Sequence, residues 1–183
     1  PINELWLPAL GGLCLGLIGL FIPRVLGVGY ETITAILNDQ LPILILITVL
    51  VFKSFALLVS LGSGTSGGLL APMFMASAAL GSLFAQLSNS ILGIHLAPAA
   101  FALAAMGAVF GAASRASFTF IIFAFEITRD YDAILPLMLV VVIANLIALR
   151  FMPTSIMTEK LARRGLKVHT DYEADILHSM KVR

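Results

Sequence analysis

Gly62-Ser63-Gly64-Thr65-Ser66-Gly67-Gly68-Leu69-Leu70-Ala71-Pro72 is a small, glycine-rich loop between two long apolar runs, and it feeds directly into Met73 to Leu87. Read outward from this loop, the sequence predicts a helix N-terminus inside a membrane. The first turn of any helix leaves backbone N–H groups unpaired, and the macrodipole places partial positive charge there, so that end attracts anions. Lipid offers those groups no water. Irregular backbone at membrane depth survives only where protein packs it or a wet cavity receives it, and transporters use such broken helices to hold ions near the midplane. Anion passage is the first expectation. Gly67 and Gly68 allow backbone to approach an ion with no Cβ in the way, and Ser63, Thr65 and Ser66 are suited to capping the helix.

Composition supports the membrane independently. Of 183 residues, 60% are hydrophobic and 11% charged, against about 25% charged in globular domains, and the mean hydropathy is +1.03. The formal net charge of +1, with no basic patch interleaved with aromatics, predicts no nucleic-acid partner. Cys14 is the single cysteine and forms no internal disulfide; His95, His169 and His178 are scattered, so neither a metal site nor a cofactor is expected. The chain begins at Pro1 with no charged leader ahead of an apolar core, which reads as a piece of a longer protein rather than as a signal peptide.

Apolar runs of about 20 residues can span a bilayer. Leu5 to Ile22 is the first, ended by Pro23, with Gly12 and Gly16 forming a small-xxx-small pair suited to close packing. Tyr30 to Asn38 is a short amphipathic stretch, interfacial or re-entrant. Leu41 to Leu61 is a span that the glycine loop stops. A helix from about Leu69 to Leu87 precedes a polar connector, Ser88 to Leu96. Ala97 to Ala113 is a further span, with a second small-xxx-small pair at Gly107 and Gly111. Ala116 to Thr128 is too short to cross an unthinned bilayer of roughly 30 Å at 1.5 Å per residue. Arg129 and Asp130 mark a turn, and Asp132 to Met152 is a full span. Such unequal helices suggest a transporter-like bundle.

After Pro153 the chain leaves the membrane. Lys160, Arg163, Arg164 and Lys167 follow the last span closely, and the positive-inside rule then puts the C-terminus in the cytoplasm. Lys53 is the hardest charge to place, because an ammonium within a span needs water or a partner. Lining an anion route and pairing with a buried acid are both open. Glu126, near the end of a short helix, is read as a cap or backbone-bonded group before a proton carrier. Arg115 is read as the start of a helix, where a cation opposes the dipole, which points to a specific structural partner before an anion vestibule. Phe118, Phe120, Phe123 and Phe125 are assigned to packing at a lipid or subunit face. Gly62-Ser63-Gly64 prompts an intramembrane protease as the enzyme alternative, but no His lies within a span to activate a serine, and no enzyme is expected.

Four stretches, in order, resemble the CLC family of chloride channels and proton-coupled chloride transporters. Gly68-Leu69-Leu70-Ala71-Pro72 is similar to the family's Gly-x-Phe-x-Pro anion motif. Gly107-Ala-Val-Phe-Gly-Ala-Ala-Ser-Arg115 is similar to its next conserved stretch. Phe125-Glu126-Ile127-Thr128 followed by Tyr131 to Pro136 matches its glutamate, Thr and Leu-Pro pattern. Ser155-Ile156-Met157-Thr158-Glu159-Lys160-Leu161 stands where the family has Ser-Ile-Tyr-Thr-x-Lys-Leu.

This resemblance implies an all-α polytopic membrane bundle of tilted, broken and re-entrant helices, residues 1–165 forming the C-terminal half of an inverted-repeat domain. Residues 166–183 would be a cytoplasmic linker leading towards a CBS domain. The implied anion site comprises Gly67, Gly68, Leu69, Leu70 and Met157, with Lys53 a pathway candidate. Leu70 replaces the family's Phe, whose contact is a backbone N–H. Met157 falls on its central Tyr, and a thioether donates no hydrogen bond, which weakens binding roughly tenfold or more at about 1 kcal/mol or more per bond. The gating glutamate and the serine that completes the site belong to the other half. The implied partners are chloride or a similar anion, the lipid bilayer, and a second copy through Ser117–Thr128 and Asp132–Phe151. A bacterial plasma (inner) membrane suits the compact loops. Retuning for nitrate or fluoride, and a non-transporting membrane scaffold, are the alternatives.

Overall fold

The structure is a computed structural model of the chain and describes residues 6–64, 68–128, 131–152, 154–156 and 158–159. Among them every regular element is helical. They are α1 (Leu7–Phe21), α2 (Tyr30–Leu37), α3 (Ile43–Gly62), α4 (Leu70–Leu92), α5 (Pro98–Ser114), α6 (Ser117–Thr128) and α7 (Ile134–Phe151), with a 3₁₀ turn at Pro23–Val25. The all-α expectation holds.

Among the described residues three helices, α3, α4 and α7, are long and apolar enough to cross a membrane. The expected spans at 5–22 and 97–113 are shorter than that. α1 has 15 residues and α5 has 17, about 22 and 25 Å at 1.5 Å per residue against a hydrocarbon core of about 30 Å. Pro98 opens α5 in its first turn, where a missing N–H costs nothing, and Arg115 closes it in the left-handed conformation at φ +60°.

The polar connector expected at 88–96 is instead largely helical. α4 continues to Leu92 and stops at Gly93, whose φ of +65° suits glycine. Asn89 stays helical with its amide satisfied by the connector beyond the helix end: Nδ2 donates to the Leu96 carbonyl at 2.8 Å, and Oδ1 accepts from the Leu96 N–H at 2.7 Å. That pair folds the α4–α5 connection back on itself.

The core is built around α4. Phe74, Met75, Ala78 and Ala79 share one buried cluster with Ile36 of α2, Leu46 and Val49 of α3, Ala102, Met106 and Phe110 of α5, Phe120 of α6 and Val141 of α7. Small residues permit this convergence. A Cβ on Gly81 would stand 2.2 Å from the Phe101 carbonyl oxygen, so α4 and α5 touch backbone to backbone there. The Gly107/Gly111 pair behaves as expected: a Cβ at either position would fall 2.8 Å from Val141, which lets α7 seat on α5. Gly12 and Gly16 do not, since nothing lies within 4 Å of a Cβ at either. The close approach on α1 is made by Gly11 against Ser63 and by Gly19 against Leu26; Gly12 is turned from Gly11 by about 100° and presents another face.

The phenylalanines also divide. Phe118 is exposed, and Phe125 packs edge-on against Tyr131 at 4.8 Å. Phe120, assigned from sequence to an outer face, is instead a core residue: it meets Phe74 at 5.4 Å in an edge-to-face contact, while Phe123 stacks on Phe74 at 5.6 Å. Helical spacing explains the split, because 120, 121 and 124 share the inward stripe of α6.

Candidate functional site

The glycine loop starts where α3 ends. The Ser63 N–H reaches the Val59 carbonyl at 2.9 Å and the Gly64 N–H reaches Leu61 at 3.3 Å, and Gly64 turns the chain at φ +76°. Ser63 Oγ donates to the Ser60 carbonyl at 2.8 Å. The expected cap of the following helix is therefore, at Ser63, a bond that closes the preceding one. Thr65, Ser66 and Gly67 lie outside the described residues.

Gly68 and Leu69 lead into α4. Leu69 takes the N-cap position with helical dihedrals (φ −87°, ψ −23°), and among the described residues no side chain caps it. Its carbonyl accepts from the Met73 N–H at 3.1 Å. Leu70 and Ala71 are the first helical residues, so their N–H groups have no acceptor within the helix, while Pro72 has no N–H at all. Gly68 and Leu70 are exposed, Leu69 is half-buried and Ala71 is buried. Gly68, Leu69 and Leu70 thus sit together at an uncapped helix end. This is the arrangement that leaves partial positive charge open to an anion.

Met157 lies outside the described residues, but its neighbours are held firmly. The Ile156 N–H donates to the Ala113 carbonyl near the end of α5 at 2.9 Å. Ser155 is buried and exchanges bonds with Thr158: the Ser155 N–H reaches Thr158 Oγ1 at 3.0 Å and the Thr158 N–H reaches Ser155 Oγ at 3.2 Å. Thr154 Oγ1 donates to the Glu159 carboxylate. A serine and a threonine three residues apart are a legible signal for such a reciprocal turn, and the sequence reading did not use it.

Arg115 belongs to the end of α5 rather than to the start of α6. Its N–H bonds the Gly111 carbonyl at 2.9 Å, and its guanidinium Nη2 donates to the Met152 carbonyl at 2.7 Å, where α7 ends. One cation therefore faces the negative ends of two helices, which is favourable where the sequence reading had it opposing a dipole. Glu126 is exposed in the last turn of α6.

Lys53 is buried within α3, 4% exposed. Its ammonium donates to the Val25 carbonyl at 2.8 Å and to the Gly27 carbonyl at 2.8 Å. Its partners are backbone oxygens of the α1–α2 loop, where one of the two readings of the sequence had a buried acid.

A helical bundle with three membrane-length spans, broken by a glycine loop that exposes a helix N-terminus, defines an integral membrane protein of the channel and transporter class. The model of the voltage gated chloride channel family matches residues 1–149, and the chain belongs to that family. It is 34% identical over 156 residues to the putative chloride channel protein ClcB-like of Ralstonia nicotianae, covering 85% of this chain and 36% of the relative. It is 40% identical over 81 residues to the voltage-gated ClC-type chloride channel ClcB of Escherichia coli (strain SMS-3-5 / SECEC), covering 44% and 19% respectively. Among solved structures, a crystal structure described as that of a slow cyanobacterial Cl-/H+ antiporter superposes with a TM-score of 0.64 at 30% identity, over 73% of this chain and 32% of the other. The chain thus spans about a third or less of the lengths of these relatives.

Proposed function

We propose that the protein to which this chain contributes moves chloride or a similar small inorganic anion across a membrane, with the N-terminal end of α4 as part of the anion's path. The uncapped N-terminus carries this reading: glycine-led backbone, no side-chain cap on Leu69, and N–H groups of Leu70 and Ala71 with no acceptor in their helix. An anion entering there exchanges part of its hydration shell for N–H dipoles. Gly67 and Met157 are assigned to the same site on the family motif. No covalent step is required, and the protein acts as a transporter or channel rather than an enzyme.

The assembly follows the same reading. Residues 1–165 act as one half of a membrane domain and 166–183 as a cytoplasmic linker towards a regulatory domain. α6 and α7 face a second copy; Phe118, Leu135, Leu139 and Leu146 are large apolar side chains left open on those helices. A bacterial inner membrane with the C-terminus in the cytoplasm suits the basic residues after α7.

Flux from liposomes containing the full-length protein tests this, with chloride, nitrate and fluoride compared and external pH recorded. Chloride efflux, with or without proton movement, is the expected result. Proton uptake with efflux indicates exchange, and efflux alone indicates a channel. Preference for nitrate or fluoride would assign a retuned site. Absence of flux for all three from folded protein overturns the proposal and leaves a scaffold.

A further inference from the structure

The Lys53 side chain reaches out of α3 into the α1–α2 loop, and that loop in turn presses on the helix that carries the candidate anion site. An ammonium inside a span is costly unless its donors are met. Here two are met by the carbonyls of Val25 and Gly27, each at 2.8 Å. The loop presents both oxygens because it winds through the 3₁₀ turn Pro23–Val25 and then takes left-handed backbone at Gly27 (φ +69°) and Gly29 (φ +76°). Side-chain-bearing residues rarely adopt that conformation.

Gly29 is where the loop meets α4. A Cβ placed on it would stand 2.5 Å from the sulfur of Met75, so the backbone of Gly29 lies directly against that side chain. Met75 is fully buried and lies five positions into α4, whose first residue is Leu70. The contacts therefore run without a gap from the ammonium to the loop carbonyls, along two residues of loop, and onto the first turns of the helix whose N–H groups are open. α2 begins at Tyr30, immediately after Gly29, so the loop cannot shift without also moving a packed helix.

We propose that Lys53 is a positioning residue for the N-terminal end of α4. By holding Val25 and Gly27 it keeps Gly29 pressed on Met75, and so fixes where the N–H groups of Leu70 and Ala71 stand. It touches no anion in this role. The consequence for anion affinity rests on the function proposed above; the mechanical link does not.

The test is amide hydrogen exchange on the full-length protein, with chloride affinity measured by titration calorimetry on the same samples, for wild type, Lys53→Met and Gly27→Ala. Lys53→Met removes the donors at nearly constant volume. Gly27→Ala strains the loop at its left-handed position without touching Lys53 and meets no neighbouring atom. Lys53→Met is expected to speed exchange at residues 28–29 and at Met73, Phe74 and Met75, while the far turns of α4 stay protected, and to weaken chloride binding by about tenfold. Gly27→Ala is expected to change both in the same direction by less.

Faster exchange in the loop with Met73 to Met75 unchanged overturns the proposal, as does a uniform rise throughout the helices, which would make Lys53 a general stabiliser. Unchanged chloride affinity with faster exchange at α4 overturns its functional half. If Lys53→Met gives no folded protein, the Gly27→Ala comparison decides alone. If wild type binds no chloride, the anion reading fails, and exchange at Met73 to Met75 still decides whether Lys53 positions α4.

Discussion

α4 and α7 are both long, apolar helices, yet they have opposite surroundings. In the most apolar 18-residue window of α4, 61% of the residues are buried, against 11% in α7. Composition explains the difference. α4 presents Ala71, Ser77, Ala78, Ala79, Gly81, Ser82 and Ala85 to its neighbours, all buried, and small residues let helix backbones approach where lipid supplies no hydrophobic force to drive them together. Ser77 is satisfied within the helix itself: its Oγ donates to the Met73 carbonyl at 2.6 Å. α7 is Leu-, Val- and Ile-rich and buries Leu137 and Val141, leaving most of its large side chains exposed. Length and hydropathy place both helices in the membrane, but residue size sorts which one becomes the centre.

Breaking the centre should cost the most. Phe74→Ala removes the ring that meets Phe110, Phe120 and Phe123, and a loss of about 3 kcal/mol or more is expected, read as a large fall in thermal unfolding temperature of the detergent-solubilised protein. Gly81→Val drives side-chain atoms into the Phe101 carbonyl; the expected cost is about 1–3 kcal/mol, with separation of α4 from α5. Gel filtration should show loss of the compact species, and a normal profile would mean that α4 and α5 do not meet at Gly81.

A smaller effect sharpens the comparison at the helix end. Asn89→Ala removes both bonds to Leu96, at an expected cost of about 1–2 kcal/mol, with faster exchange confined to the α4–α5 connection. The smallest effect is expected on α7, where Leu139 is 63% exposed. Leu139→Ala should leave the unfolding temperature of monomeric protein within the shift that about 0.5 kcal/mol produces. The same variant should loosen a dimer formed through α7, visible by cross-linking or light scattering. Destabilisation of the monomer as large as that from Phe74→Ala would erase the distinction between the two helices.

Much of the membrane architecture was legible in the sequence, and the starts expected at Leu41 and Ala97 fall within two residues of those of α3 and α5, because hydropathy acts locally. The candidate site was legible in part for the same reason: a glycine-led helix start is a local signal, and α4 does begin at Leu70 with no side-chain cap. What sequence reasoning placed wrongly depends on partners distant in the chain. Arg115 read as a cation at a helix start because its bond to the Met152 carbonyl joins residues 37 positions apart. Phe120 read as an outer residue because the aromatic cluster that receives it comes from α4 and α5 as well as α6.

The sequence alone determined that this chain lives in a membrane, that its helices break at a glycine loop, and that the break exposes backbone N–H groups. Those are properties of hydropathy and of the peptide unit, and no distant contact is needed to decide them. Only the tertiary structure decided which helix is buried, which of the two glycine pairs meets a neighbour, and that Lys53 holds two carbonyls of a loop 26 and 28 positions earlier in the chain. An ammonium will donate to any oxygen that comes within reach, and which oxygens do so is settled by how the helices pack.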